Sequence, residues 1–533
     1  MNVGAIKSYL QSKLLVLALF AVSLACLAAT MRADVNPYDE GLILVGATNL
    51  IAGEIPHRDF YTLYGPAQFA LTAMGFKLFG TNILAGRLID VLTKTLIVTV
   101  VYRLCRDATN FIGALIVSLA TLVWLCTLGA HGYPLWFSLL LILVAIHLLA
   151  RDGGIGRTFL AGVVAGLVFL FRYDIGIAAA STLALVLFWR VAATSRGERQ
   201  HFSGAVAATL VPFIIGASVC ALPLLMFYAW TGTIQDLIFQ VIEFPAAAYR
   251  ANRGLPFPLR HAPVSEYVVY LPILVMGIYV IASLQSWRAG RSLHGGSPWM
   301  VHLAALLSVV MFFKGIVRVS ALHMSVSVIL SLIVFTVIVT RAISDRRSFT
   351  WVTVIGSIAL LLATITTLAA AGGALTGSIW RAAVTSRAPT PQDAGPHVDR
   401  AGMFAIPDDE ARAIEYVRAR TEPDEPIFVG TGRHDKIFVS DISFYFLAER
   451  QPATKWYDYN PGLQTTNVLQ LEMVRELQHR NVRYVVLTSR FDNVMEPNGS
   501  ALSSGVHILD DDLKNEYSEV AVFGTYRILL RNR

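Results

Sequence analysis

The sequence predicts a polytopic α-helical membrane domain of about eleven spans, followed by a C-terminal extracytoplasmic α/β domain. Three observations predict it. First, 55% of the 533 residues are hydrophobic and only 15% charged, with a mean hydropathy of +0.58; soluble proteins carry roughly 25% charged residues. Second, the shortfall is uneven. Residues 1–371 are runs of Leu, Val, Ile and Ala with charges confined to short gaps, whereas the chain beyond about residue 380 has soluble composition. Third, the basic gaps fall on one side when the spans alternate.

A span needs about 20 apolar residues. The segments that qualify are approximately 10–30, 83–102, 111–129, 134–150, 158–172, 176–193, 204–230, 266–285, 299–314, 320–340 and 350–371. The fifth and sixth, separated only by Arg172-Tyr173-Asp174, fit two steep helices or one broken pair. Lys7 and Lys13, Arg103 and Arg106, Arg151 and Arg157, Arg190, Arg196 and Arg199, Arg288 and Arg291, and Arg341, Arg346 and Arg347 share one side. That side is expected to be cytoplasmic. The loops 31–82 and 231–265 and the tail then face outward. The first apolar run exceeds a signal-peptide core and is expected to stay as an uncleaved span.

The first outer loop carries two helix signals. Asn36-Pro37 is a start, with Asn as cap and Pro at the first position, leading into an amphipathic helix along the interface to Ala52. A second helix is expected from Pro66 to Phe79, stopped by Gly80. A hinge rich in Ala, Gly, Thr and Pro spans 372–400, and the soluble domain 401–533. Within it, helices are expected at 407–420 and 465–479, and strands at 426–430, 482–487 and 525–530.

The formal net charge of +7 follows membrane orientation. No basic, aromatic-interleaved module points to nucleic acid. The four cysteines (Cys26, Cys105, Cys126, Cys220) lie within or beside apolar runs, without Cys-x-x-Cys or zinc spacing. There is no Gly-rich nucleotide loop and no Ser-His-Asp or zinc motif. Neither a metal nor a cofactor is expected.

Asp39 and Glu40 stand at a helix start on the membrane surface. A carboxylate there can take a proton from an attacking hydroxyl. Equally, Asn36 and Asp39 have capping-box spacing, and acids favour a first turn. Adjacent residues diverge by about 100° on a helix, so one would be the base and the other a positioning or capping group. Arg58-Asp59 is either a solvated pair or a phosphate contact with its orienting acid. Arg172 and Asp174 lie at membrane depth, where ionisable residues are functional candidates or pair with each other. Lys314 and Arg318 share a helix face, with His323 beyond. They sit on the outer side, as do Arg250, Arg253, Arg260 and His261, and basic groups there imply an anionic partner such as a lipid phosphate. In the tail, His434-Asp435, Asp441, Tyr445 and Trp456-Tyr457-Asp458 suit either sugar recognition or docking onto the membrane part. Asn498-Gly499-Ser500 matches the glycosylation sequon.

Together these residues resemble the GT-C membrane glycosyltransferases, a superfamily that includes protein O-mannosyltransferases and lipid A aminoarabinose transferases. The resemblance rests on Asp39-Glu40, on Gly53-Glu54-Ile55-Pro56-His57-Arg58-Asp59-Phe60, on Tyr64-Gly65-Pro66 with Phe79-Gly80 and Arg87, and on Arg318 with His323. Ser320 stands where that last element commonly has Asp. The resemblance covers roughly residues 1–340. It implies a polyprenyl-phosphate sugar donor, a cell-envelope hydroxyl acceptor, inversion at the sugar, and the outer face of a bacterial inner membrane. It implies Asp39 as the base and Arg58, Arg172, Lys314 and Arg318 as cations for the phosphate, with Asp59, Tyr64, Asp174 and His323 as neighbouring substrate contacts. Two competing readings remain: a flippase of lipid-linked sugars, and a membrane assembly protein whose tail binds a partner.

Overall fold

The computed structural model of the protein describes residues 3–150, 154–194, 199–259, 262–288, 298–344 and 398–532. Each expected span up to 320–340 coincides with a helix: Val3–Ala29 (α1), Ile83–Ala108 (α4), Phe111–Leu128 (α5), Leu135–Leu149 (α6), Gly154–Phe171 (α7), Tyr173–Thr194 (α8), Arg199–Trp230 (α9), Leu271–Arg288 (α12), Pro298–Gly315 (α13) and Ser325–Ser344 (α14). The eleventh, 350–371, lies outside the described residues, with the hinge up to 397 and with Arg260 and His261. Six helices among the described residues are long and apolar enough to cross a membrane. α4 is not among them, because it carries charge into the bundle. Its Asp90 pairs with Lys94 at 2.7 Å and with His131 at 3.2 Å, so those charges are neutralised inside the protein.

The 158–193 stretch resolves into two helices. α7 ends at Phe171 and α8 begins at Tyr173, leaving Arg172 in the corner. α7 also packs closely on α9. A Cβ on Gly166 would lie 2.5 Å from the Ala217 carbonyl oxygen, and small residues permit such backbone approach between membrane helices.

The first outer loop folds as helices Asp39–Ile51 (α2) and Pro66–Phe79 (α3). The expected interfacial placement of α2 is corrected: it is buried from Glu40 to Ala47. Its apolar residues Leu42 to Val45 join one core with Phe69 and Phe76 of α3 and with Phe404, Ile442, Phe444 and Tyr457 of the tail. The tail therefore covers the face that the sequence would have given to lipid. Segment 231–265 is largely helical, running from Ile234–Ile238 (α10) through wide π-turns at Phe239–Glu243 and Pro245–Tyr249 to Arg250–Arg253 (α11). Pro245 has no N–H to give a regular turn.

The tail is a four-stranded mixed sheet with helices. Phe428–Thr431 (β1) runs parallel to Tyr484–Thr488 (β2). Tyr526–Arg531 (β4) pairs antiparallel with β2, and Tyr517–Phe523 (β3) pairs with β4, in the order β1-β2-β4-β3. Helices Asp408–Arg418 (α15), Ser443–Ala448 (α16), Asn467–His479 (α17) and Ile508–Glu516 (α18) flank it. Strand β3 and helices α16 and α18 were not expected.

Backbone bonds fix the tail to the first loop. Ser443 N–H donates to the Pro37 carbonyl at 2.9 Å, Ala405 N–H to Ala33 at 2.8 Å and Tyr61 N–H to Lys455 at 2.9 Å. Gly41 makes the approach possible: a Cβ there would stand 2.5 Å from Ser443 N and 3.0 Å from its Cα. Gly41→Ala is expected to push the tail off α2. Thermal unfolding monitored by tryptophan fluorescence should show a loss of about 1–3 kcal/mol, the usual range for overpacking.

Candidate active site

The start of α2 sets the geometry. Asn36 Oδ1 accepts from the backbone N–H of Tyr38 at 3.0 Å and of Asp39 at 2.9 Å, so Asn36 caps as expected. Glu40 turns inward. Its carboxylate takes two bonds from Arg87 of α4, Nε–Oε1 at 2.6 Å and Nη2–Oε2 at 2.8 Å, and accepts from Asn36 N–H at 3.2 Å. Arg87 also donates to the carbonyls of Arg32 (2.5 Å) and Asp34 (2.8 Å) and stacks on Phe404 at 4.1 Å. One buried ion pair thus ties α2, α4 and the end of α1 together. Both Glu40 oxygens are thus taken by Arg87 and the Asn36 N–H, the arrangement of the positioning or capping member of the Asp39-Glu40 pair, and this corrects Glu40 as a candidate base.

Asp39 points the other way, into a polar cavity of about 360 Å³ between the bundle and the tail. Its only direct side-chain bond among the described residues is a long one from Asn36 Nδ2, 3.4 Å. Burial raises its pKa above the ordinary carboxylate value, opposed by the charges of Arg253 and Arg318 and by the Asn36 amide.

A second cavity of about 340 Å³ adjoins the first, sharing Leu63, Tyr64, Tyr133, Tyr249, Arg318 and His323 as wall. Its lining is mostly apolar, with Val241, Pro245 and Val317, but it ends in three charges. Asp174 accepts from Arg172 (Nε 3.0 Å, Nη2 2.9 Å) and lies 3.0 Å from Lys314 Nζ. The trio carries a net positive charge, and Arg172 lies 5.0 Å over the Tyr64 ring. A polar chamber with a free carboxylate therefore meets an apolar chamber ending in a cationic cluster.

Arg318 sits at the junction. Glu496 of the tail holds it in a fork, 2.8 and 2.6 Å, while its Nη1 also donates to the Arg253 carbonyl at 2.7 Å. His323 Nδ1 is 2.7 Å from Ser320 Oγ. Ser320, at the position where the resembled element commonly has Asp, is the partner of this imidazole. Burial, then Arg318, Lys314, Arg172 and Arg253, keep this imidazole neutral, well below its usual pKa.

Arg58 and Asp59 are not brought to either chamber. They form a surface pair, 2.8–2.9 Å, and Asp59 also accepts from Ile55 N–H at 2.7 Å. The buried member of that motif is His57, which bridges Gln240 Oε1 (2.9 Å) and Tyr173 Oη (3.0 Å) with φ at +71°. The turn that seats His57 turns Arg58 outward, which corrects its expected place at the phosphate.

From the tail, Asp458 lines the polar chamber, whereas His434, Asp435, Asp441 and Tyr445 do not. His434 pairs with Asp510 at 2.7 Å, and Asp441 accepts from Tyr526 Oη at 2.6 Å. Asp435, His507 and Asp510 come close enough for a metal ion, but Arg433 and Ser503 already occupy the Asp435 carboxylate. Asn498 donates to the Gly254 carbonyl at 2.9 Å and to Glu496 at 3.0 Å, so its amide is a strut. Tyr38, Tyr133 and Tyr249 were not singled out from sequence. Tyr38 and Tyr249 adjoin the charged residues Asp39 and Arg250, whereas Tyr133, between Gly132 and Pro134, carries no such signal.

Residues 64–216 match the family model for dolichyl-phosphate-mannose-protein mannosyltransferases. No curated protein matches the chain. Among solved structures, ArnT from Cupriavidus metallidurans bound to undecaprenyl phosphate is similar over 96% of this chain and 97% of its own, at 14% identity and a TM-score of 0.55. Its apo state is similar over 97% and 98%, also at 14% identity, with a TM-score of 0.56. The archaeal oligosaccharyltransferase AglB from Archaeoglobus fulgidus, in complex with an inhibitory peptide and a dolichol-phosphate, is similar over 90% of this chain and 70% of its own, at 13% identity and a TM-score of 0.51. At such identities the likeness is one of fold. The chain is thus a multi-pass membrane protein with the fold of the GT-C glycosyltransferases, the superfamily its first-loop residues resemble.

Proposed function

We propose that the protein is an inverting glycosyltransferase that moves a sugar from polyprenyl phosphate to a hydroxyl of a cell-envelope acceptor, at the outer face of a bacterial inner membrane. The observation that carries this reading is the junction of the two chambers. An apolar chamber ending in Arg172, Asp174 and Lys314 suits a lipid phosphate, and it opens directly onto a polar chamber holding Asp39. The matched mannosyltransferase family and the lipid phosphates named with ArnT and AglB support the same donor class.

The chemistry follows from the charges. The acceptor oxygen bonds to the anomeric carbon as the carbon–oxygen bond to phosphate breaks on the opposite face. Asp39 takes the hydroxyl proton. The phosphate leaves with the bonding pair, and Arg172, Lys314 and Arg318 meet its charge. Fixed cations at a developing charge lower the barrier without reorganising. His323, neutral and beside Arg318, adds a hydrogen-bonding group without competing charge.

Lys314→Ala leaves Asp174 paired with Arg172, so the corner keeps its internal ion pair. The expected result is undecaprenyl phosphate binding weakened about tenfold, roughly the 1.4 kcal/mol of one charge-assisted contact, read by tryptophan quenching in detergent. Unchanged affinity would remove the phosphate from this corner.

A further inference from the structure

We propose that Asp458 of the tail domain holds a hydroxyl of a saccharide acceptor, so that the acceptor is a sugar ring and not a protein side chain. The inference rests on the glycosyl-transfer reading above and deepens it. Asp458 is 2% exposed. Its Oδ1 accepts from Tyr38 Oη at 2.8 Å and from Asn460 Nδ2 at 3.2 Å. Its Oδ2 has no partner among the described residues, and the residue lines the polar chamber. An unpaired carboxylate oxygen on the chamber wall is an open acceptor for a donor that arrives with a ligand. His131, which lines the same chamber, has a buried Nε2 without a partner among the described residues.

The class of ligand follows from number and shape. Asp458 and Asn460 place a carboxylate beside an amide, a pair that can accept from one hydroxyl and donate to its neighbour. Phe438 lines the same chamber, and Arg253 stacks against both Phe438 and Tyr38 at 5.6 Å. A sugar ring offers adjacent hydroxyls and an apolar C–H face. A serine or threonine offers one hydroxyl and would leave the other groups unpaired.

Position selects the acceptor over the donor's sugar. In-line displacement brings the acceptor in opposite the phosphate. Asp458, Asn460 and Phe438 line the polar chamber alone and are absent from the wall of the apolar one.

The test uses the full-length protein in detergent with an undecaprenyl-phosphate sugar. Three readouts are taken: donor hydrolysis without acceptor, transfer to methyl glycosides, and transfer to a Ser/Thr peptide, each by mass spectrometry. Transfer is expected to a methyl glycoside. Asp458→Asn, which keeps an oxygen for Tyr38, should raise the KM for that glycoside about tenfold, the effect of one lost charge-assisted bond, with kcat and donor hydrolysis little changed. Phe438→Ala should raise KM without touching the charge, and decides the matter if Asp458→Asn no longer binds undecaprenyl phosphate. Transfer to the peptide, transfer to no glycoside, or an unchanged KM would overturn the inference. Hydrolysis and transfer falling together would assign Asp458 to the donor sugar and overturn it equally. A wild-type protein that neither binds undecaprenyl phosphate nor consumes donor would instead fail the transferase reading, and the inference with it.

Discussion

Asp39→Asn is expected to lower sugar transfer by about 10²–10⁴-fold, the usual share of a general base, while undecaprenyl phosphate still binds. Asn keeps the shape and the Asn36 contact but cannot take a proton. The pH profile of the wild type has a defined sign. Asp39 faces Arg253 and Arg318, which favour its charge, and Asp458, whose own pKa is pushed up to about 6, chiefly by burial and further by Asp39. Because burial wins at Asp39, its base form is lost on acidification at a pH above that of an ordinary aspartate, and kcat/KM should fall there. The same shift has a stability consequence. A group that holds its proton more tightly when folded stabilises below its unfolded pKa, and that gain is lost as pH rises through the folded value. At neutral pH the Asn variant should therefore unfold at a temperature no lower than the wild type. A flippase carrying Asp39→Asn would move lipid-linked sugar as well as the wild type. Full transfer by the variant would rule out Asp39 as the base.

Arg87→Ala should be the change most damaging to stability. It leaves the Glu40 carboxylate buried without its two guanidinium bonds, and breaking a buried pair from one side costs about 3–5 kcal/mol. The carbonyls of Arg32 and Asp34 lose their donor as well. Because Glu40 adjoins Asp39, activity should fall with stability. Arg87→Lys should rescue little, since an ammonium cannot serve a carboxylate and two carbonyls in that planar arrangement. Removing both charges with Glu40→Gln and Arg87→Met should recover a large part of the lost stability, seen as a higher unfolding midpoint than Arg87→Ala. If Arg87→Ala unfolds like the wild type, the pair does not hold α2.

Much of this arrangement was legible from local signals. Spans announce themselves by apolar length, and the caps at Asn36 and Gly80 by residue type. Asp39 was legible as a candidate because a carboxylate at a membrane surface needs a reason. What was not legible depends on partners far along the chain. Glu40 and Asp39 look alike until Arg87, 47 residues away, claims one of them. Arg58-Asp59 reads the same as a phosphate contact or as a surface pair, and the left-handed turn at His57 decides between them. Asp458 reaches Tyr38 across 420 residues, a contact no periodicity encodes. The amphipathic reading of α2 failed for the same reason: Glu40 to Ala47 are buried in an unbroken run, because α3 and the docked tail enclose the helix on every face. Strand β3 was missed because it is an edge strand whose residues from Ser518 to Val520 are exposed, so it lacks the buried run that marks the central strands.

In the proposed reaction a lipid phosphate occupies the Arg172–Lys314 corner with its sugar reaching toward Asp39. The most direct measurement is a structure of Asp39→Asn with an undecaprenyl-phosphate sugar bound. Phosphate is expected within hydrogen-bonding distance of Lys314 and Arg172, the sugar beneath Arg318 and His323, and the anomeric carbon facing residue 39. A phosphate seated elsewhere, or a sugar turned away from residue 39, would contradict it.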